Sequence, residues 1–147
     1  MDEVPVTVSE QDAVLAARLD GYVNFVYRAV KADRDGRRLE RRLDATESLA
    51  WLLDVVFALS ARVRPYNKYL ARELQEHLLA VPAWSAPVLL PQLEAMLDGC
   101  PAALREVFAV VERECRGFDE SRGRRALGST VDAWGSELAL IRGEGEG

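Results

Sequence analysis

The stretch RVRPYNKYL, Arg62 to Leu70, places Arg62, Arg64 and Lys68 within seven residues, with no acid among them. The surrounding chain has a net charge of −5, so this basic segment stands out against its own protein. Pro65 suits the first position of a helix reaching about Leu79, because the N–H it lacks has no intrahelical partner there. The dipole at such a start is already positive. Arg64, Lys68 and Arg72, spaced four apart, would then share one face and repel. An anion resolves both conflicts, since phosphate or carboxylate binds well at a helix N-terminus reinforced by Arg and Lys. The rival account pairs these cations internally with Glu47 or Asp54. Either way Asn67 joins the cluster, and the periodicity turns Tyr66, Leu70, Leu74 and Leu78 toward the core.

A second group lies upstream. At about 100° per residue, Asp20, Asn24, Tyr27, Arg28 and Lys31 fall within one arc of a long helix, and most of the remaining surface from Leu15 to Val30 is apolar. A stripe that mixes an acid, an amide, a phenol and two cations is either a solvent face or the wall of a cleft that positions a substrate. Asp54 is the one charge between Leu49 and Leu59 and needs a partner wherever it is buried. Arg72 and His77 fit R-x4-H, the loose signature of HEPN ribonucleases, although a five-residue step turns the two side chains apart on a regular helix. His77 is the only histidine. A two-histidine mechanism or a multi-histidine metal site is therefore excluded within one chain, and His77 falls on the core side beside Leu70 and Leu74. Cys100 and Cys115 have no metal-ligand spacing and read as small, semi-buried residues.

The elements that must position these residues are helical. With 147 residues, 49% of them hydrophobic, the chain is long and apolar enough for one domain with its own core. The pattern predicts a helix from about Glu10 to Ala32, capped by Ser9 with Asp12, with Leu15, Leu19, Val23, Val26 and Val30 inward. Asp35-Gly36 breaks it. A short helix covers Arg37 to Leu43, and another, capped by Asp44 with Glu47, runs to about Arg62 and is apolar nearly all round. After the Pro65 helix, prolines 82, 87 and 91 mark an irregular connector carrying Trp84. Helices follow from about Val88 to Leu97 and from Pro101 to Arg116, then a polar loop from Gly117 to Gly123, then a last helix with Val131, Trp134, Leu138 and Ile141. Only Val4 to Val8 alternates like a strand.

The expected fold is therefore all-α, a bundle of five to six helices over residues 10–142, with an N-terminal segment 1–9 and a disordered tail 143–147. The acidic start MDEVPVTVSE lacks the order of a signal peptide, and no apolar run could span a bilayer, so a cytoplasmic protein is expected. A pI near 5.0 argues against broad nucleic-acid binding.

LDGYVNFVYRAVKADRDG, the ATES before the apolar helix, FALSARVRPYNKYL and REL-x2-H together resemble the helical C-terminal half of bacterial nucleotidyltransferase-domain proteins, the kanamycin- and lincosamide-type superfamily. The likeness runs from about Leu19 to His77, with an echo in VDAWGSELALIRG. In that family an N-terminal α/β domain supplies a Gly-Ser turn and an Asp-x-Asp metal-binding pair. Gly128-Ser129 here lies near the C-terminus with no Asp-x-Asp after it, so the resemblance implies the helical half alone. It implies a non-catalytic, substrate-binding, HEPN-like module whose Asp20, Asn24, Tyr27, Arg28, Lys31, Glu47, Arg62, Arg64, Asn67 and Lys68 face an anionic or nucleotide-type ligand, a separate catalytic nucleotidyltransferase domain, or a second copy. Mg2+ and nucleotide enter only with such a catalytic domain. The alternatives are a HEPN-like ribonuclease using Arg72 and His77, and a truncated, inactive nucleotidyltransferase remnant.

Overall fold

The computed structural model describes residues 6–144. These form seven α-helices, more than the five to six expected: α1 (Val8–Arg34), α2 (Arg38–Leu59), α3 (Leu70–Glu76), α4 (Ala86–Leu97), α5 (Pro101–Ser121), α6 (Ala126–Asp132) and α7 (Glu137–Arg142). Short 3-10 turns at Asn67–Tyr69 and Pro82–Trp84 lie on either side of α3. The described residues contain no strand.

α1 starts two residues earlier than its sequence pattern suggested. The capping box is Thr7 with Glu10, not Ser9 with Asp12. The Glu10 N–H donates to Thr7 Oγ1 at 3.1 Å, and the Thr7 N–H donates to Glu10 Oε1 at 3.2 Å. Thr7-x-x-Glu10 is the full motif, with the longer acid needed to reach back. Val8 is thus the first residue of α1 rather than the end of a strand, while Val4 lies outside the described residues. The expected stripe of Leu15, Leu19, Val23, Val26 and Val30 is buried, and Tyr22 and Ala29 widen it. Gly36 ends the helix at φ +72°.

α2 is one helix, so the expected break at Asp44 does not exist. No Gly or Pro follows Gly36 until the helix has ended, and a helix once nucleated propagates. α1 and α2 form the central antiparallel hairpin. They approach closely at Gly21, where a Cβ would sit 2.7 Å from the Trp51 ring. α5 covers the hairpin from another side, with Phe108 stacked on Tyr22 at 6.3 Å between ring centroids. α4 contributes Leu89, Leu93 and Met96 to the same core, and Trp84 of the connector is fully buried.

Three further corrections concern the C-terminal third. α5 continues through Gly117 to Ser121, because Phe118 packs on the core and buried Asp119 caps α6 by accepting the Leu127 and Gly128 N–H groups at 3.2 and 2.7 Å. The expected last helix is two, α6 and α7, separated by Gly135 at φ +60°. The tail expected to be disordered is described as far as Glu144, whose N–H donates to Ala139 O at 2.8 Å; residues 145–147 lie outside the described residues. Cys100 and Cys115 are free thiols. Burial, helped by the nearby Asp119 charge, pushes the Cys115 thiol up to about 12. No helix among the described residues is long and apolar enough to cross a membrane.

Candidate functional site

The segment that carries RVRPYNKYL departs most from expectation, and it builds one wall of a cleft. α2 closes with the Ala61 N–H donating to Ala58 O at 3.0 Å and the Arg62 N–H to Phe57 O at 2.9 Å. This double closure needs a left-handed residue, usually glycine. Here Ala61 takes that place at φ +57°. The chain then runs without helix through residues 62–66, and Pro65 biases Arg64 toward extended backbone. Pro65 therefore starts no helix: the 3-10 turn begins at Asn67 and α3 only at Leu70. Arg64, Lys68 and Arg72 share no helical face, and no helix dipole acts at Pro65. Tyr66 is 80% exposed and Leu78 78%, rather than inward; Leu74 is buried and Leu70 half-buried.

Stability does ask for two of the cations. Arg62 is 7% exposed. Its Nη1 donates to His77 O at 3.3 Å and Leu78 O at 3.2 Å, and its Nη2 to Glu73 Oε1. It ties the extended segment to the far end of α3. Arg64 Nη1 donates to Asp54 Oδ1 at 3.3 Å and Ala50 O at 3.1 Å, and Nη2 to Asn67 Oδ1 at 2.9 Å. Asp54 is also held by Arg18 at 3.3 Å, whose guanidinium lies 4.9 Å from the centroid of the Trp51 ring. The half-buried acid of α2 is thus clamped between α1 and the crossing segment. Arg64 uses three of the five N–H donors a guanidinium carries.

Between these struts and the start of α1 opens a cleft of about 560 Å3. Its apolar lining is Val6, Val14, Ala58, Val63, Pro65 and Tyr66, and its polar lining is Glu10, Gln11, Asp54, Arg62, Arg64 and Asn67. The two acids and two arginines balance. Gln11 is 3% exposed and fixed at both ends: Nε2 donates to Ala58 O at 2.8 Å, and Oε1 accepts from Arg122 Nη2 at 3.0 Å. Of the residues singled out from sequence, Asp54, Arg62, Arg64 and Asn67 line this cleft. Gln11, Glu10, Val14, Val63 and Tyr66 were missed. An isolated glutamine near a helix start carries no signal, whereas Thr7-x-x-Glu10 would have moved the start of α1 and with it the reading of Glu10.

The stripe on α1 lies elsewhere. Asp20 accepts from Trp134 Nε1 at 3.0 Å, and Tyr27 packs on the Trp134 ring at 5.5 Å. Burial, with a hydrogen bond to Glu137, raises the Tyr27 pKa. These residues seat α7 and the turn before it. Asn24 is half-buried; Arg28 and Lys31 are exposed and lie over Phe25 and Tyr27, at 6.0 and 5.8 Å. Glu47 is exposed on mid-α2 and caps nothing. Lys68 is exposed over its neighbour Tyr69. Arg72 pairs with Glu76 at 3.1 Å, and His77 follows the last residue of α3, half-buried.

Among the described residues no group of three His, Cys, Asp or Glu side chains could hold a metal ion. No family model, no curated protein and no solved structure matches this chain.

Proposed function

We propose that this chain is a non-catalytic helical binding module, related to the C-terminal half of nucleotidyltransferases, that takes a nucleotide-type ligand in the cleft between α1, the end of α2 and the crossing segment. One observation carries the reading. The cleft, of ligand size, offers an open apolar wall at Val14, Val63 and Tyr66 beside Arg64 and Asn67. A planar base fits against Tyr66. A phosphate or other acceptor reaches the two N–H donors of Arg64 that remain outside its three internal bonds. Charge balance in the lining makes the flat apolar contact, rather than the anion alone, the main source of affinity. A separate catalytic domain would present such a nucleotide at this face. The ribonuclease alternative draws nothing from the geometry, since Arg72 is engaged by Glu76 and His77 lies past the end of the helix.

Thermal melting with adenosine, AMP, ATP and pyrophosphate tests this. A ligand bound only to the folded state raises the melting temperature in a saturable way. Nucleotides should do so, and pyrophosphate should do much less. Tyr66→Ala should remove the response with little change in the unliganded melt, because the side chain is exposed. A wild type blind to all four ligands, or a response that Tyr66→Ala leaves intact, refutes the reading.

A further inference from the structure

A different face of α2 carries a pattern that the cleft does not use. Leu39 and Leu43 are 64% and 57% exposed. Thr46 and Ala50 continue the same row and are also exposed. The spacing four, three, four is that of the d, a, d, a seam of a coiled coil, which runs about 17 Å from Leu39 to Ala50. Leu97 of α4, 47% exposed, adds apolar surface beside Thr46, where it helps line a hollow of about 310 Å3.

The rims of this seam have opposite signs. Arg38 and Arg42 lie on one side, Glu40 and Glu47 on the other. All four are exposed, and none makes an ion pair among the described residues. Arg42 holds the g position and Glu47 the e position five residues on, the pair that bridges two parallel strands. A two-fold axis parallel to α2 lays each copy's basic rim on the other's acidic rim. An antiparallel two-fold would set like on like.

We infer that this seam is a homodimer interface in which α2 pairs in parallel, in register, with α2 of a second copy, through Leu39, Leu43, Thr46 and Ala50 and two reciprocal Arg42–Glu47 bridges. The surface is self-complementary, as a closed two-fold contact requires. Four side chains per copy make a small contact, so a weak, concentration-dependent dimer is expected.

Sedimentation equilibrium of the full chain, from about 1 μM to about 1 mM, reads the affinity. Arg42→Glu and Glu47→Arg should each weaken the dimer about tenfold, as two attractive pairs become repulsive. Mixed together, the two variants should associate more tightly than either alone, because in the heterodimer both bridges are restored. Leu43→Lys should give a monomer with unchanged helicity by circular dichroism. A wild type that stays monomeric throughout overturns the inference. So does a dimer that survives Leu43→Lys, or a mixture of the charge variants that associates no better than its components.

Discussion

Arg62→Met tests whether the arginine is a strut. Methionine keeps most of the stem packing near Phe57 but removes every donor. Glu73, its side chain 14% exposed, then loses its cation, and the His77 and Leu78 carbonyls lose theirs. Removing one partner of a buried pair costs about 3–5 kcal/mol. The two carbonyls sit near the surface, where water replaces part of what they lose, so about 4 kcal/mol in total is expected. Against a typical stability of about 5–15 kcal/mol that is a large fraction, and at about 2–4 °C per kcal/mol it lowers the melting point by about 8–16 °C. Urea melts followed by circular dichroism measure it. In Arg62→Met with Glu73→Leu no charge is stranded, so the double variant should recover at least about 2 kcal/mol of the loss. A single variant that loses under about 1 kcal/mol, or a double variant no better than the single, refutes the strut.

Further outcomes follow from other positions. Ala61→Gly should stabilise by about 0.5–1 kcal/mol in the same urea melts, because left-handed strain of about 1–2 kcal/mol outweighs the entropy glycine adds to the unfolded chain. Gly21→Ala should destabilise by about 1–2 kcal/mol despite alanine's better helix propensity, since its methyl meets the Trp51 ring. Burial pushes the Glu112 carboxyl up, but Arg142 and Arg116 pull it below its ordinary 4.5 overall. The unfolded chain therefore binds more protons just below 4.5. The Glu112 contribution is present above that value and is lost as pH falls through the folded one. Melting temperatures of Glu112→Gln should accordingly fall less steeply on acidification than those of wild type. Cys115 should resist a thiol reagent at pH 8 in the native protein while Cys100 reacts, with both counted after denaturation.

Most of the helices were legible because their buried stripes are long. Leu15 to Val30 on α1 and Leu104 to Val111 on α5 repeat often enough for one period to win. The errors fall where a short-range signal pointed away from the tertiary outcome. Pro65 suits a helix start, but the closure at Ala61 and the tie from Arg62 to the end of α3 hold the chain extended. Ala61 carries no mark of a left-handed residue, so a stop normally announced by glycine was silent. On α1 the polar stripe was real, but its partner is Trp134, more than a hundred residues away, and periodicity cannot supply that pairing. The internal salt-bridge account named Asp54 as a partner, and Arg64 does reach it. Glu73, the partner of Arg62, lies on α3, which starts at Leu70 and not at Pro65, so the pattern around Pro65 does not point to it.

The tie between Arg62 and the end of α3 also orders events in time. α1 and α2 meet through a turn of a few residues, a local contact that closes quickly. α3 has seven residues, too few to persist without docking. The segment from 62 to 78 should therefore open as a unit while the hairpin stays shut, and its amides should exchange well before those of α1 and α2. Arg62, Arg64 and Asn67 belong both to that unit and to the cleft wall, so the cleft exists only while the unit is closed. Occupancy of the cleft would then register as slower exchange across α3, in residues that no ligand touches.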